Sequence, residues 1–404
     1  MMAAAVQGAR EVLGAARVRQ LPGGGLAGLL RDGVPPGTVN LAVGTPAFPD
    51  TPPELVDAAC AALRAGVHQY QDPAGVPALR ERIAAGLPAA PDPDTEITVT
   101  VGGSEGLCVA LLAAVDPGDE VIVLEPCYEN FLSAVALAGG RVRPVPLRAP
   151  DWSLDPAELA AAMGPRTRAI ILNSPSNPTG QLLGHQDLAV IAELCERWDV
   201  TVVSDEVYAD YVYDGRQHCS AAEVPGLAER SIVVGSFSKS HAISGWRLGF
   251  LRAPARWTEL LRQIHVATTA GAPAAFQHAA AAVDLHGPGR QQRSAAMAAR
   301  RDSAVALLRD AGFHCAAPAG GCYVLAGIDG LTDEPSPAFV RTLLQEAGVL
   351  LAPATSFFAD PRRGERQVRV AFNRPAETLD TARRRLLART RAGLPHRIQE
   401  GERT

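Results

Sequence analysis

The chain has 404 residues, of which 47% are hydrophobic and 20% charged, and its formal net charge is −5 at pH 7. This length exceeds that of a typical single domain and predicts two lobes, and the mildly acidic charge excludes the basic surface expected of a nucleic-acid-binding protein. The seven cysteines form no C-x-x-C pair and the nine histidines show no metal-ligand spacing, which predicts reduced thiols, no metal site and a cytoplasmic location.

The N-terminal part of the chain predicts an arm followed by two helices. The first 35 residues are rich in Ala, Gly and Arg, with a helix predicted at Val6–Gln20. Thr51 is followed three residues later by Glu54, which is the spacing of a capping box. We therefore expect Thr51 to cap a helix that runs to Ala65, and a further helix at 77–86.

From residue 95 onwards, strand-like and helix-like patterns alternate. The predicted strands are apolar throughout: Glu96–Val101, Glu120–Leu124, Val142–Leu147, Ala169–Leu172, Val200–Ser204, Ser231–Val234 and Leu248–Arg252. The helices between them are predicted at Ser104–Ala114, Tyr128–Ala138, Asp155–Met163 and Gln186–Trp198. Such alternation predicts an α/β fold with a mostly parallel sheet, in which functional side chains follow the C-terminal ends of the strands.

The C-terminal part predicts a smaller α+β lobe. Ala- and Arg-rich helical patterns run to Asp310, and the elements that follow are short strands near Phe313, at Cys322–Leu325 and at Gln367–Phe372, and helices at Pro337–Ala347 and Glu377–Ala392. The predicted division is an N-terminal arm at 1–45 that joins the small domain, a large domain at 46–290 and a small C-terminal domain at 291–404.

Lys239 is the single lysine in the sequence, although Lys and Arg together number 38. Arginine stays protonated, whereas lysine can lose its proton and form a Schiff base with a carbonyl group. Lys239 follows the apolar run Ser231–Val234 and stands among serines and glycines, which is typical of a buried, shaped site at a strand end. Its retention indicates amine chemistry rather than a chance remnant.

Polar residues follow other predicted strands as well. Gly103 and Ser104 open a predicted helix, where free N–H groups and the helix dipole bind anions; a plain tight turn explains them equally well. Asn177 lies in a loop stiffened by two prolines and a glycine, with an ordinary turn as the alternative. Asp205 ends a buried strand, where a carboxylate is costly unless it pairs with a cation; a helix cap is the alternative.

These side chains together match one cofactor. Around the lysine stands a second anion clamp, made of Ser236, Ser238 and Arg247. An amine, a carboxylate, an amide, the phenol of Tyr208 and anion cradles are the groups that pyridoxal 5′-phosphate needs for its aldehyde, ring nitrogen, phenolic oxygen and phosphate. The sequence therefore predicts a pyridoxal-phosphate site and no metal.

Short motifs stand in the order and spacing of one family: Gly44-Thr-Pro, Tyr70, Asn177–Gly180 (N-P-T-G), Asp205–Tyr208 (D-E-x-Y), Ser236–Gly249 (S-x-S-K-x(5)-G-x-R-x-G) and Arg369 in V-R-V-A-F. On these residues the chain resembles the class I/II aminotransferases of the fold-type I pyridoxal-phosphate-dependent enzymes, over roughly residues 38–390. The resemblance implies a large lobe whose mostly parallel sheet is flanked by helices, plus a smaller α+β lobe.

The resemblance also implies how the cofactor is held. Lys239 would form the aldimine and move the proton, Asp205 would pair with the ring nitrogen, and Asn177 and Tyr208 would bond the O3′ oxygen. Lys239, Asp205 and Tyr208 would form the catalytic set. Tyr128 would stack on the ring, although a packing role is the alternative. The implied phosphate ligands are Gly103, Ser104, Ser236, Ser238 and Arg247.

Substrate and partner follow from the same resemblance. Arg369 would bind the substrate α-carboxylate through a bidentate pair, with Gly44 and Asn177 beside it; pairing with an internal carboxylate is the alternative. Tyr70 would reach the phosphate of a second subunit, so we expect a homodimer. The expected substrates are an L-amino acid and a 2-oxo acid, and neutral or aromatic side chains are favoured because no second arginine occupies an obvious motif.

Other outcomes stay open at this stage. The same motifs serve cyclases, eliminases, replacement enzymes and oxidases of secondary metabolism built on this fold. A regulatory, DNA-binding relative is disfavoured because the resemblance begins near residue 38, too early for a winged helix before it. His241 stands where relatives usually carry an apolar or aromatic residue, and we expect a structural role, with a second acid/base as the alternative. No run of about 18 apolar residues is present, so no membrane span is predicted.

Overall fold

The computed structural model describes residues 15–19, 21, 33–287 and 289–393. The strands are β1 Val39–Asn40, β2 Ile97–Val101, β3 Glu120–Glu125, β4 Arg141–Pro146, β5 Thr167–Asn173, β6 Thr201–Asp205, β7 Ser231–Ser236, β8 Leu248–Arg252, β9 Tyr323–Gly327, β10 Val349–Leu350, β11 Ala352–Pro353 and β12 Gln367–Ala371.

The α-helices are Ala16–Arg19, Pro53–Arg64, Pro77–Ala85, Gly102–Ala114, Glu129–Leu137, Pro156–Ala162, His185–Trp198, Phe237–Ser240, Ala255–Thr268, Ala274–Ala282, Gly289–Asp310, Ser336–Ala347 and Ala376–Gly393. Short 3-10 helices occur at Ala221–Glu223, Ala228–Arg230, Ser244–Trp246, Ala354–Phe357 and Pro361–Gly364. Within the described residues no helix is both long and apolar enough to cross a membrane.

The large lobe is organised around a seven-stranded sheet in the order β2-β8-β7-β6-β5-β3-β4. Its strands pair in parallel from β7 to β4, whereas β8 runs antiparallel to both of its neighbours. The inner strands are rich in apolar residues because both faces of the sheet are covered. Val121 and Val123 pack beside the helix Gly102–Ala114, and Ile122 packs beside His185–Trp198. The prediction of an α/β fold with a mostly parallel sheet is confirmed.

Three neighbouring strands of this sheet end at the candidate site. β5 ends at Asn173, β6 at Asp205 and β7 at Ser236, and Asn173 lies opposite Asp205 in the ladder. Because these strands are parallel, the polar residues that follow them meet at one edge of the sheet.

The second lobe contains the antiparallel sheet β11-β12-β9. β1, from the N-terminal segment, pairs in parallel with β10, and Leu41 accepts a hydrogen bond from Ala371 N–H. The N-terminal segment therefore packs with the C-terminal elements, as the sequence suggested, while the domain boundaries at 45 and 290 stay a prediction.

Several local predictions are wrong. The helix Pro53–Arg64 begins after Pro52 without a side-chain cap, because the Thr51 hydroxyl donates instead to the carbonyl of Ala242 at 3.0 Å. No strand forms near Phe313 among the described residues; a single bridge joins His314 to Gly327. Of the helix predicted at Val6–Gln20, only Ala16–Arg19 is helical within the described residues, and the rest of that prediction lies outside them.

Candidate active site

The predicted residues converge on a cavity of about 210 Å³ at the C-terminal edge of β5, β6 and β7. The cavity is lined by most of the residues selected from the sequence: Gly103, Ser104, Tyr128, Asn177, Asp205, Tyr208, Ser236, Ser238, Lys239 and Arg247. In the sequence these residues are spread over more than half of the large lobe, so the fold rather than local spacing brings them together.

Lys239 lies on the short helix Phe237–Ser240 that follows β7. The Ser236 hydroxyl caps this helix by accepting a hydrogen bond from Ser238 N–H at 3.1 Å. The Lys239 amine donates to the carbonyl of Gly44 at 3.2 Å. Burial lowers the pKa of this amine, which raises the fraction of the neutral, nucleophilic form at a given pH.

Asp205 is a buried carboxyl group with little local compensation. Its Oδ1 accepts a hydrogen bond from Val207 N–H at 3.2 Å, and among the described residues no basic side chain lies within ion-pair distance of it. Burial raises its pKa from 3.8 to about 7. A cationic N–H placed in the cavity would restore the carboxylate form.

Glu206, the adjacent acid, points elsewhere because side chains alternate along a strand. It accepts hydrogen bonds from the hydroxyls of Ser204 and Ser220 and from Ala221 N–H, and it lies 2.9 Å from His218 Nε2. Its hydrogen-bonding capacity is therefore met inside the protein, which leaves Asp205 as the acid for a ligand.

The anion cradle forms at the N-terminus of the helix Gly102–Ala114. Gly102 has a φ of +73°, and a Cβ there would lie 2.5 Å from Arg247 Nη2, so a glycine is required. Arg247 bends back to donate to the carbonyls of Ser244 and Val101. Free helix N–H groups beside a guanidinium suit a phosphate.

Asn177 and Tyr208 supply the predicted donors across the cavity. Asn177 N–H donates to Asn173 Oδ1 at 2.7 Å, which fixes its loop. The Tyr208 hydroxyl is buried 3.3 Å from the hydroxyl of Tyr323. Tyr128 lines the cavity, and its hydroxyl accepts a hydrogen bond from Asn130 at 2.8 Å.

Arg369 is a buried cation without an internal carboxylate. Its side chain belongs to a residue only 2% exposed, and it donates to Asn177 Oδ1 at 2.9 Å and to the carbonyl of Ala42 at 2.7 Å. Its Nε is buried without a partner in the described part of the chain. Its guanidinium carbon lies 4.2 and 4.7 Å from the ring centroids of Tyr323 and Phe357. The alternative, an ion pair with an internal acid, is absent from the described residues.

Gly44 and Arg369 adjoin the cavity without lining it, and two other predicted residues lie apart from it. Tyr70 is 86% exposed and stands on the surface beside the segment 269–274. His241 is buried and faces away from the cofactor cavity: its Nε2 donates to the carbonyl of Leu285 at 3.1 Å and its Nδ1 lies 2.8 Å from the Ser240 hydroxyl. Burial lowers the pKa of His241 to about 4. This placement favours the structural role.

Sequence reasoning missed three residues of the site. Asn173 lines the cavity and donates to the carbonyl of Asp205 at 3.0 Å. Tyr323 lines the cavity, and Phe357 covers Arg369. Asn173 directly precedes the Asn177 loop, so its position at a strand end was a usable signal, whereas Tyr323 and Phe357 come from the second lobe and carry no local motif.

The residues present fit pyridoxal phosphate. The buried, uncompensated Asp205 suits a protonated ring nitrogen, Lys239 suits the aldehyde and the glycine cradle with Arg247 suits the phosphate. The unpartnered Nε of Arg369 leaves that guanidinium free to meet a substrate carboxylate. The buried charges of Asp205 and Arg369, which have no ion-pair partner in the described part of the chain, therefore each correspond to a group of the cofactor or the substrate.

Comparison with known proteins gives concordant results. A family model described as Aminotransferase class I and II matches residues 36–386. The chain is 37% identical over 371 residues to the probable N-succinyldiaminopimelate aminotransferase DapC of Mycobacterium tuberculosis, covering 87% of this chain and 92% of that protein. It is 37% identical over 323 residues to the arginine–pyruvate transaminase AruH of Pseudomonas aeruginosa, covering 78% of this chain and 81% of that protein.

The fold comparison extends the likeness to three dimensions. The structure titled as N-succinyldiaminopimelate aminotransferase from Mycobacterium tuberculosis matches with a TM-score of 0.87 at 34% identity, covering 93% of this chain and 99% of that chain. The region matched by the family model, residues 36–386, includes every strand of the large sheet and all of the cavity residues.

Proposed function

Because the chain belongs to the class I and II aminotransferases, fold-type I enzymes that transfer amino groups with pyridoxal phosphate, we propose specific roles for its cavity residues in that reaction. The two relatives and the solved structure named above are aminotransferases, which supports amino transfer and gives no support to the cyclase, eliminase, replacement or oxidase outcomes. The observation that carries the proposal is the pair of buried charges without an ion-pair partner, Asp205 and Arg369, at the site that also holds the single lysine.

The cofactor residues act by holding and orienting. Lys239 would hold the cofactor through its aldehyde, and its amine, whose pKa burial lowers, would accept and return the proton at the substrate Cα. Asp205 holds the proton on the ring nitrogen, and the cofactor then supplies an electron sink for negative charge at the substrate Cα. Asn177 and Tyr208 donate to the O3′ oxygen, and Tyr128 covers the ring.

Phosphate binding and dimerisation complete the cofactor site. Gly103, Ser104, Ser236, Ser238 and Arg247 hold the phosphate. Tyr70 is exposed on one protomer, and in a homodimer its hydroxyl reaches the phosphate of the partner. The proposal rests on a tyrosine that is almost fully solvent-exposed in the single chain although aromatic side chains are usually at least partly buried.

Arg369 selects substrates that carry an α-carboxylate, with Gly44 and Asn177 beside it. The relatives are named for very different substrates, succinyldiaminopimelate and arginine, so the side-chain preference of this chain is not inherited from their names. The described cavity contains Arg247 as its one arginine lining residue, and that residue is assigned to the phosphate. We therefore favour neutral or aromatic amino acids over dicarboxylic ones.

A donor screen tests the substrate proposal. The cofactor-loaded protein is mixed with one amino acid at a time, without a 2-oxo acid, and conversion to pyridoxamine phosphate is followed by absorbance. Neutral or aromatic amino acids should convert the cofactor faster than aspartate or glutamate at equal concentration. Preferred conversion by the dicarboxylic amino acids would refute the assigned side-chain class and leave the carboxylate role of Arg369 intact.

We also propose a cytoplasmic location. All seven cysteines are free thiols, and Cys127, Cys195, Cys219 and Cys322 are buried, which is consistent with a reducing compartment. Fractionation of the host cell would test this location, and recovery in a secreted or periplasmic fraction would contradict it.

A further inference from the structure

Tyr323 lies between the cofactor end and the substrate end of the cavity. Its hydroxyl oxygen is 3.3 Å from that of Tyr208, and the two rings meet edge to face with centroids 5.9 Å apart. On its other side, the face of the Tyr323 ring lies 4.2 Å from the guanidinium carbon of Arg369. The side chain is 2% exposed, so neither contact competes with bulk water.

The chain makes room for this hydroxyl. A Cβ at position 44 would lie 1.6 Å from the Tyr323 hydroxyl oxygen, which is far inside contact distance. Gly44 is therefore required as long as Tyr323 occupies this position. The same residue accepts the hydrogen bond from the Lys239 amine through its carbonyl, so the loop that carries Gly44 approaches the site at two points.

The chemistry of two adjacent phenols gives Tyr323 a direction of action. A hydroxyl group has one donor and two acceptor sites. In the structure the Tyr208 hydroxyl donates to that of Tyr323. If Tyr208 donated its hydrogen bond to the O3′ oxygen of the cofactor instead, the direction would reverse, and the Tyr208 oxygen would accept a hydrogen bond from Tyr323. Hydrogen bonds arranged in such a chain polarise and strengthen one another.

We propose that Tyr323 is a positioning residue that orients the Tyr208 hydroxyl toward the cofactor and supports the Arg369 guanidinium with its ring. The proposal rests on the O3′ role assigned above to Tyr208. In this proposal one side chain of the second lobe positions two groups: the Tyr208 hydroxyl beside the cofactor oxygen and the Arg369 guanidinium in the carboxylate pocket.

Two substitutions separate the hydroxyl from the ring. Tyr323→Phe removes the hydroxyl and keeps the ring under Arg369, and Tyr323→Leu removes both. A weaker Tyr208 donor stabilises the deprotonated O3′ less, so in Tyr323→Phe the pH midpoint of the visible band of the bound cofactor should rise by about 0.1–0.7 unit, with KM for the amino acid nearly unchanged. Tyr323→Leu should in addition lower kcat/KM for amino acids by about 2- to 30-fold, the range of a cation–π contact.

Tyr213→Phe is the matched control. Tyr213 is equally buried in the same apolar cluster, but its hydroxyl donates to the carbonyl of Gly321 and it does not line the cofactor cavity. It should change thermal stability and leave the pH midpoint of the cofactor band where it is in the wild type. A midpoint in Tyr323→Phe equal to that of the wild type, or shifted equally in Tyr213→Phe, would overturn the proposal. A wild-type protein that shows no visible cofactor band at any pH would refute the cofactor assignment instead.

Discussion

Replacement of Arg369 by lysine tests how the site recognises its substrate. The substitution keeps a positive charge but loses the planar fork that matches a carboxylate. Arg369 donates through Nη1 to Asn177 Oδ1 and through Nη2 to the carbonyl of Ala42, and its Nε is buried without a partner in the described part of the chain. The remaining N–H groups are thus available for a substrate carboxylate, which forms two parallel hydrogen bonds with a guanidinium.

The size of the effect follows from the lost bonds. Loss of one hydrogen bond to a charged group costs about 1.5–3 kcal/mol, which lowers kcat/KM for an amino acid roughly 10- to 150-fold. The decarboxylated amine of the same substrate has no carboxylate to lose and should be affected far less. The assay compares kcat/KM for both compounds in wild type and variant, after each protein is shown to bind pyridoxal phosphate.

Arg374→Lys is the control for a merely structural arginine. Arg374 is also buried, and it donates to the main-chain carbonyls of Asn40, Val43 and Thr45. Unlike Arg369, which bonds to the cavity residue Asn177, Arg374 has only hydrogen-bond partners that do not line the cavity in the described part of the chain. Its replacement should therefore lower thermal stability and reduce turnover of the acid and the amine alike. If Arg369→Lys also lowers kcat/KM equally for the amino acid and its amine, the carboxylate assignment is refuted.

The remaining predictions concern the acid and the dimer. Asp205 has a folded-state pKa of about 7 against an ordinary 3.8. In the cofactor-free protein its contribution to stability is therefore full below about pH 4 and is lost as the pH rises to about 7. Thermal melts from pH 4 to 8 should show this loss in the wild type and not in Asp205→Asn, and a stability difference between the two proteins that is independent of pH would contradict the burial argument. Mixing Lys239→Ala protomers with Tyr70→Phe protomers should create hybrid dimers with one site in which both residues are intact, so activity should exceed that of either parent. No gain on mixing, or a fully active monomer in sedimentation, would rule out a tyrosine shared between subunits.

The large sheet could be predicted from the sequence because its strands are buried on both faces. Runs such as 121–124 and 232–234 are apolar without interruption. The polar residues at the ends of the strands, Asp205 among them, mark the C-terminal edge. Lys239 stood out because it is the single lysine in a sequence whose other Lys-or-Arg residues are all arginine. These signals are local, and local signals predicted both the fold class and most of the cavity lining.

Contacts between distant segments could not be predicted in this way. The capping box at Thr51 fits the local rule, but a tertiary acceptor on Ala242 takes its hydroxyl. Tyr323 enters the cavity from the second lobe, and Gly44 makes room for its hydroxyl from yet another segment. The contact between Tyr323 and Gly44 exists only in the folded protein, so neither residue shows it in the local sequence.

Every role proposed for the cavity depends on attachment of the cofactor to Lys239, and covalent labelling of that amine tests it. Borohydride reduction fixes a bound cofactor to the amine that holds it, and peptide mass spectrometry then locates the label. Because Lys239 is the only lysine in the sequence, the chain's α-amino group is the only other amine of comparable chemistry. We expect a pyridoxyl group on the peptide that contains Lys239 in the wild type and no such label in Lys239→Ala. A reduced protein that retains the cofactor elsewhere, or carries no label at Lys239 while transferring amino groups, would contradict it.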